Sequence, residues 1–237
     1  MSHNNYFQFK QFRIIQEQSA MKIGIDGVLL GAWTNTSKVK TILDVGTGTG
    51  LLSIMMAQRS NALITAIEIE KNAADEAIKN VTDSPWKDRI NVQHTSFQDF
   101  VGSNTKKFDL VVSNPPYFSN ALKAKNEKRN LARHNDNLTY NELLIGANNL
   151  LSDAGIISII LPHSMLGNIL MLAENINLHI QKITVIKSKP SREPHRVLIQ
   201  LGKVKCDVQK STFVIYEDNN SFTRSFRELT HQFYLKF

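Results

Sequence analysis

One cysteine, Cys206, stands in the 237 residues. It can form neither an internal disulfide nor a thiolate metal cluster, and a reducing, cytoplasmic setting is expected. The seven histidines are scattered without ligand spacing, so no metal is expected. No apolar run approaches the length that spans a bilayer, and the polar start Met1-Ser2-His3-Asn4-Asn5 does not read as a signal peptide, so no membrane association is expected. Internal repeats, low-complexity tracts and linkers rich enough to separate two domains are lacking as well. Acidic residues are in deficit: 21 Asp and Glu against 28 Lys and Arg leave a formal charge of +7. That excess favours an acidic partner, of which nucleic acid is the usual one; a solvated surface that only confers solubility carries the same charge.

Prolines number six, and two of them are adjacent in Asn114-Pro115-Pro116-Tyr117. This stretch follows the apolar run 108–113, which reads as a buried parallel strand. Neither proline has an N–H for a ladder, so the chain must leave the sheet at Asn114. The residue before each proline is held extended, which makes a stiff ledge at the carboxyl end of a strand, where open α/β sheets bind ligands. The Asn114 carboxamide oxygen, the Pro115 carbonyl and the Tyr117 ring suit a planar group that carries an NH₂. A simple strand-ending turn is the plainer reading of the same residues.

The rest of the chain alternates strand and helix. Strands are predicted at 40–45, 63–68, 90–94, 108–113 and 155–161, and helices at 51–58, 73–81, 139–151 and 165–175. The helix at 73–81 is expected to turn Ala74, Ala77 and Ile78 inward. The segments 179–186 and 196–201 form an antiparallel pair, followed by a strand at 212–216 and a helix from about Ser221. Phe7, Phe9, Phe12 and Ile14 suggest short strands or a hairpin, and Asp26 is read as the cap of a short helix lying over a sheet edge. The expected fold is α/β and Rossmann-like: a doubly wound, mostly parallel seven-stranded sheet with helices on both faces and the last strand pair antiparallel. One domain over 1–237 is expected, with 1–36 as an N-terminal cap and 202–237 as a C-terminal extension.

Asp44-Val45-Gly46-Thr47-Gly48-Thr49-Gly50 lies where the first of the alternating strands turns into a helix. Gly46, Gly48 and Gly50 let the backbone turn tightly and a ligand approach it. Glu68 ends the next strand, where a carboxylate can accept from both ribose hydroxyls. The spacing G-x-G-x-G differs from the dinucleotide pattern, and Asp44 would repel a pyrophosphate but suits an ammonium. These features favour S-adenosylmethionine over NAD. Thr47 belongs to the same turn. Asp99 either accepts from the adenine amino group or caps a helix. Lys22 either lines this pocket or is merely exposed.

These residues together resemble the class I amino-methyltransferases that use S-adenosylmethionine. More specifically, the chain resembles the tRNA-valine adenine-N6 methyltransferases from about Phe9 to Leu235. The resemblance runs through Phe9-Lys10-Gln11-Phe12, Ala20-Met21-Lys22, Asp26-Gly27 and Leu29-Leu30-Gly31-Ala32-Trp33. It continues through Ser84-Pro85-Trp86, Arg89-Ile90-Asn91-Val92, Pro194-His195-Arg196-Val197-Leu198 and Leu229-Thr230 with Phe233-Tyr234-Leu235. It implies N6 methylation of the adenosine 3′ of the anticodon in a valine tRNA, by a monomer, with Asn114, Pro115, Pro116 and Tyr117 at the reacting base. Ser19 stands where the resemblance leads one to expect cysteine, away from the chemistry. Lys123, Lys125, Lys128, Arg129 and Arg133 after the ledge, and Lys187, Lys189, Arg192 and Arg196 further on, are candidate phosphate contacts. The Asn-Pro-Pro-Tyr motif also occurs in glutamine-amide methyltransferases. That leaves a protein amide as the rival substrate, and non-catalytic RNA binding as the rival of another class.

Overall fold

The computed structural model describes residues 5–19, 22–116 and 138–236. Tyr6–Gln8 (β1) and Arg13–Ile15 (β2) pair as an antiparallel hairpin, which the alternating Phe7, Phe9, Phe12 and Ile14 foretell. After Ile25–Trp33 (α1) comes the alternation proper: Thr41–Val45 (β3), Leu51–Arg59 (α2), Leu63–Glu68 (β4), Lys71–Thr82 (α3) and Ile90–His94 (β5). Phe97–Ser103 (α4), Phe108–Ser113 (β6), Tyr140–Leu150 (α5), Leu151–Pro162 (β7) and Leu166–Asn175 (α6) follow. His179–Lys187 (β8), Pro194–Gly202 (β9), Gln209–Val214 (β10) and Arg224–Thr230 (α7) complete the chain.

Among the described residues the main sheet has eight strands in the order β10-β8-β9-β7-β6-β3-β4-β5. The expected count was seven. The extra strand is β10, which adds to the edge by pairing parallel with β8, while β9 runs antiparallel to both β7 and β8. The chain steps outward from β3 through β4 to β5, then returns to lay β6 on the other side of β3. That reversal opens a crevice at the carboxyl ends of β3 and β6, where ligands bind in such sheets. Two apolar clusters cover the two faces. One joins the hairpin residues Phe9, Phe12 and Ile14 to α1, α2 and the C-terminal Phe226 and Phe233. The other packs α4, α5 and α6 on the opposite face.

Several local expectations are corrected. Gly24, not Asp26, is the N-cap of α1, and Asp26 sits in its first turn as the ion-pair partner of Arg196. The helix packs on α2, α7 and the inner strand β7, not over an edge. Ile78 is exposed, because the inward face of α3 is Ala73, Ala74, Glu76, Ala77, Asn80 and Val81. Its polar members turn inward, Asn80 to bond Ile15 at the end of β2 and Glu76 to bond the segment after it.

Candidate functional site

Three left-handed glycines shape the turn after β3: Gly46 (φ 70°), Gly48 (φ 56°) and Gly50 (φ 83°). A side chain at any of them would be strained, which explains their alternate spacing. The turn is stitched to β4, since the N–H groups of Gly46 and Thr47 both donate to the Ile67 carbonyl at 3.0 Å. Gly48 N–H donates to Glu68 Oε2 at 2.9 Å, and Glu70 N–H to Glu68 Oε1 at 3.0 Å. The carboxylate of Glu68 is thereby fixed on the rim of the crevice. On the other side the Ser113 hydroxyl donates to the Val45 carbonyl at 2.8 Å. That bond brings Asn114, the next residue, alongside the glycine turn.

These elements enclose a cavity of about 270 Å³. Gly46, Thr47, Gly48, Glu68, Asn114, Pro115, Pro116 and Lys22 line it, as do the apolar Ile69 and Phe97. Lys22 is both exposed and on the wall. Gly27 matters for space: a Cβ there would lie 3.2 Å from Leu51 Cδ2 and 3.8 Å from Asn114 Nδ2. Ser19 also lines the cavity.

Asp44 is not on the wall. It is fully buried beneath the turn, where its Oδ2 accepts from the Thr47 hydroxyl at 2.6 Å and from the Ser53 hydroxyl at 2.7 Å. Burial pushes its carboxyl up from the ordinary 3.8 to about 6, the hydroxyls oppose the rise, and the Glu68 charge adds to it. Its Oδ1 is buried and has no hydrogen-bond partner among the described residues. Asp99 is likewise off the wall: it is exposed in the first turn of α4 and accepts from the N-capping Ser96 at 2.6 Å. Its sequence neighbours Phe97 and Gln98 line the cavity in its place. Arg196 is held by Asp26 at 2.9 Å, with a quarter of its side chain exposed. Tyr117, Lys123, Lys125, Lys128, Arg129 and Arg133 lie outside the described residues.

The family model described as "Methyltransferase small domain" matches residues 26–189. A tRNA1(Val) (adenine(37)-N6)-methyltransferase of Bacteroides fragilis is 41% identical over 232 residues, covering 98% of both chains. One from Trichodesmium erythraeum is 43% identical over 236 residues, covering 98% of this chain and 99% of its own. This chain belongs to the tRNA1(Val) (adenine(37)-N6)-methyltransferase family. In fold it is similar to a predicted O-methyltransferase of Agrobacterium tumefaciens, with a TM-score of 0.70 at 18% identity over 87% of this chain and 96% of that one.

The residues of the crevice fit the cofactor S-adenosylmethionine. Both Glu68 oxygens keep a lone pair beyond the backbone N–H each accepts, and they sit beside Ile69 and Phe97, an apolar slot for a purine. The unpartnered Asp44 Oδ1 leaves uncompensated negative charge under the turn, which favours a cationic moiety above it and disfavours a pyrophosphate. Gly27, Ile69, Phe97 and Gln98 escaped the sequence reading. The titratable neighbour of Phe97 and Gln98, Asp99, drew the assignment there.

Proposed function

We propose that this chain transfers the methyl group of S-adenosylmethionine to the exocyclic N6 of the adenosine immediately 3′ of the anticodon in a valine tRNA, in the cytoplasm. The observation that carries the reading is that Asn114 and Pro115 line the same cavity as the glycine turn and Glu68. The family membership supports the choice of an adenine.

An adenine amino group is a poor nucleophile, because its lone pair is delocalised into the ring. Asn114 Oδ1 and the Pro115 carbonyl each accept one N6–H, which directs the lone pair away from both bonds. The ledge holds these acceptors before the base arrives, so no reorganisation is needed during reaction. Gly27 keeps the space beside Asn114 open, and the turn fixes the distance between nitrogen and donor, which supplies the proximity contribution. S-adenosylmethionine contributes a methyl on a cationic sulfur leaving group. Glu68 would hold its ribose, and the charge of Asp44 would act on its ammonium from beneath the turn. The N6–methyl bond would form as the sulfonium–methyl bond breaks and S-adenosylhomocysteine leaves, and the surplus N6 proton would pass to water after transfer, so no strong base is required. Tyr117 stacks on the extruded base, offsetting part of the few kcal/mol lost on unstacking. Lys22 adds positive charge at the mouth of the cavity.

Transfer of labelled methyl to unmodified valine tRNA, with a release factor offered in parallel, tests the reading. The expected product is N6-methyladenosine beside the anticodon. Label confined to a glutamine of the release factor would replace the reading with amide methylation, and binding of tRNA without any transfer would leave an RNA-binding role.

A further inference from the structure

Among the described residues three acidic side chains are buried: Asp44, Glu68 and Glu76. The first two belong to the crevice. Glu76, on α3 and 5% exposed, has no part in the reaction and forms no ion pair among the described residues. A buried carboxylate without a cation is costly unless hydrogen bonds compensate it. Here three consecutive backbone N–H groups do so: Glu17 donates to Oε1 at 2.8 Å, Gln18 to Oε2 at 2.8 Å and Ser19 to Oε2 at 2.9 Å.

We propose that Glu76 is a positioning residue for the cofactor, whose carboxylate clamps residues 17–19 as the outer wall of the pocket; this rests on reading the cavity as the S-adenosylmethionine site. Ser19, Lys22 and Ile23 line the cavity, and Ile23 N–H donates back to Gln16 Oε1 at 2.9 Å, so the segment is folded onto itself. The same helix carries Ala73 in the cavity wall and Asn80 one turn beyond Glu76. Asn80 bonds both backbone groups of Ile15, and its Nδ2 also donates to the Thr49 carbonyl in the glycine turn at 2.9 Å. One face of α3 thus sets the distance between the strap and the turn, with the cofactor between them. A carboxylate is needed for this. A carboxamide has one acceptor oxygen and would aim its NH₂ at a backbone N–H.

The test is Glu76→Gln in the full chain, titrated calorimetrically with S-adenosylhomocysteine and followed by hydrogen exchange at amides 17–19. The expected result is about tenfold weaker binding, as charge-assisted bonds are lost. The KM for S-adenosylmethionine should rise in parallel, with kcat at saturating cofactor nearly unchanged. Amides 17–19 should exchange faster and recover protection when ligand is added. If that variant does not fold, Gln16→Ala frees the Ile23 amide while leaving α3 intact, and it should also weaken binding. A folded Glu76→Gln or Gln16→Ala protein with wild-type affinity overturns the proposal, whatever its thermal stability. Wild-type protein that binds no S-adenosylhomocysteine overturns the reading of the cavity instead.

Discussion

Asp44 carries a conflict between stability and function. Its folded carboxyl is raised to about 6, so between about pH 4 and 6 the folded state keeps a proton that the unfolded chain has released. Stability from this group therefore falls as pH rises through that window, and the buried charge costs on the order of 3 kcal/mol at pH 7. Asp44→Asn removes the charge while keeping an acceptor for Thr47 or Ser53. It should be more stable than wild type at pH 7, by up to about 2 kcal/mol after the loss of one hydroxyl bond, and the gain should vanish by about pH 4. Urea midpoints at the two pH values check this. The same variant should bind S-adenosylmethionine more weakly, and wild-type affinity should decline as pH drops below about 6. Asn114→Ala separates chemistry from binding. Its amide is proposed to act on the target nitrogen, so kcat should fall by about 100- to 1000-fold, as for a lost preorganised donor or acceptor. Calorimetric affinity for the cofactor should change far less; a variant turning over at the wild-type rate would sink the proposed role of the ledge.

At the scale of elements, the contact between α4 and α5 bears on the cavity through Phe97, which lines it. A Cβ on Gly146 of α5 would lie 2.5 Å from Phe97 Cε1 and 3.0 Å from Val101 Cγ2. Phe97 is buried and lines the cavity, so a Gly146→Ala protein must relieve the clash by moving the ring. Overpacking of this kind costs about 1–3 kcal/mol, and cofactor affinity should drop along with the melting temperature. Nothing in the sequence marks that glycine, since its partner lies on another helix. The alternation of β3 to β7 with its helices is legible because each is a local pattern, and so is the glycine turn, whose spacing reports backbone conformation directly. The helix α4 is not: seven residues give too few turns for a periodicity, and its Ser96 cap looks like any loop serine. Helix α5, expected at 139–151, runs from Tyr140 to Leu150, and the capping box of Thr139 and Glu142 is a start signal that the sequence spells out. The inward face of α3 was misjudged because Ile78 suits an apolar stripe better than Glu76 and Asn80 do. Those two face inward to reach a segment more than fifty residues away, and no local rule anticipates that.

At the scale of the molecule the question is where an RNA arm lies against a protein of charge +7. Charge alone does not choose, because Lys38, Lys40, Lys106 and Lys107 stand at the amino ends of the parallel strands, opposite the crevice. The sheet register is more informative. Ser113 of β6 is level with Ile159 of β7, Pro162 with Arg196 of β9, and Lys187 of β8 with Pro194. Lys187, Lys189 and Arg192, on the β8–β9 turn, therefore share the rim of Asn114, three strands along. At about 4.8 Å per strand the sideways separation is roughly 14 Å, and Lys187 stands roughly 13 Å further along than Ser113, being four residues past the level of Ile183, so the two are on the order of 20 Å apart, about the width of a nucleic-acid helix. Among the described residues the Lys187 and Lys189 ammonium groups donate to the carbonyls of Pro190 and Asp218, at 3.4 and 3.1 Å, contacts that a phosphate can displace. Arg196 is a different case: removing it would break its ion pair with Asp26 of α1, so it cannot report on RNA alone. Replacing Lys187, Lys189 and Arg192 together with alanine should weaken tRNA binding and leave cofactor affinity unchanged, since none of the three lines the cavity. Each lost phosphate contact should also reduce the slope of log affinity against log salt by about 0.7–0.9, so the triple variant should lose about 2 or more from that slope. Filter binding of valine tRNA across a salt series measures both quantities. An unchanged slope would move the RNA footprint off this turn, and the Lys125, Lys128 and Arg129 triple substitution would then be the comparison that assigns it.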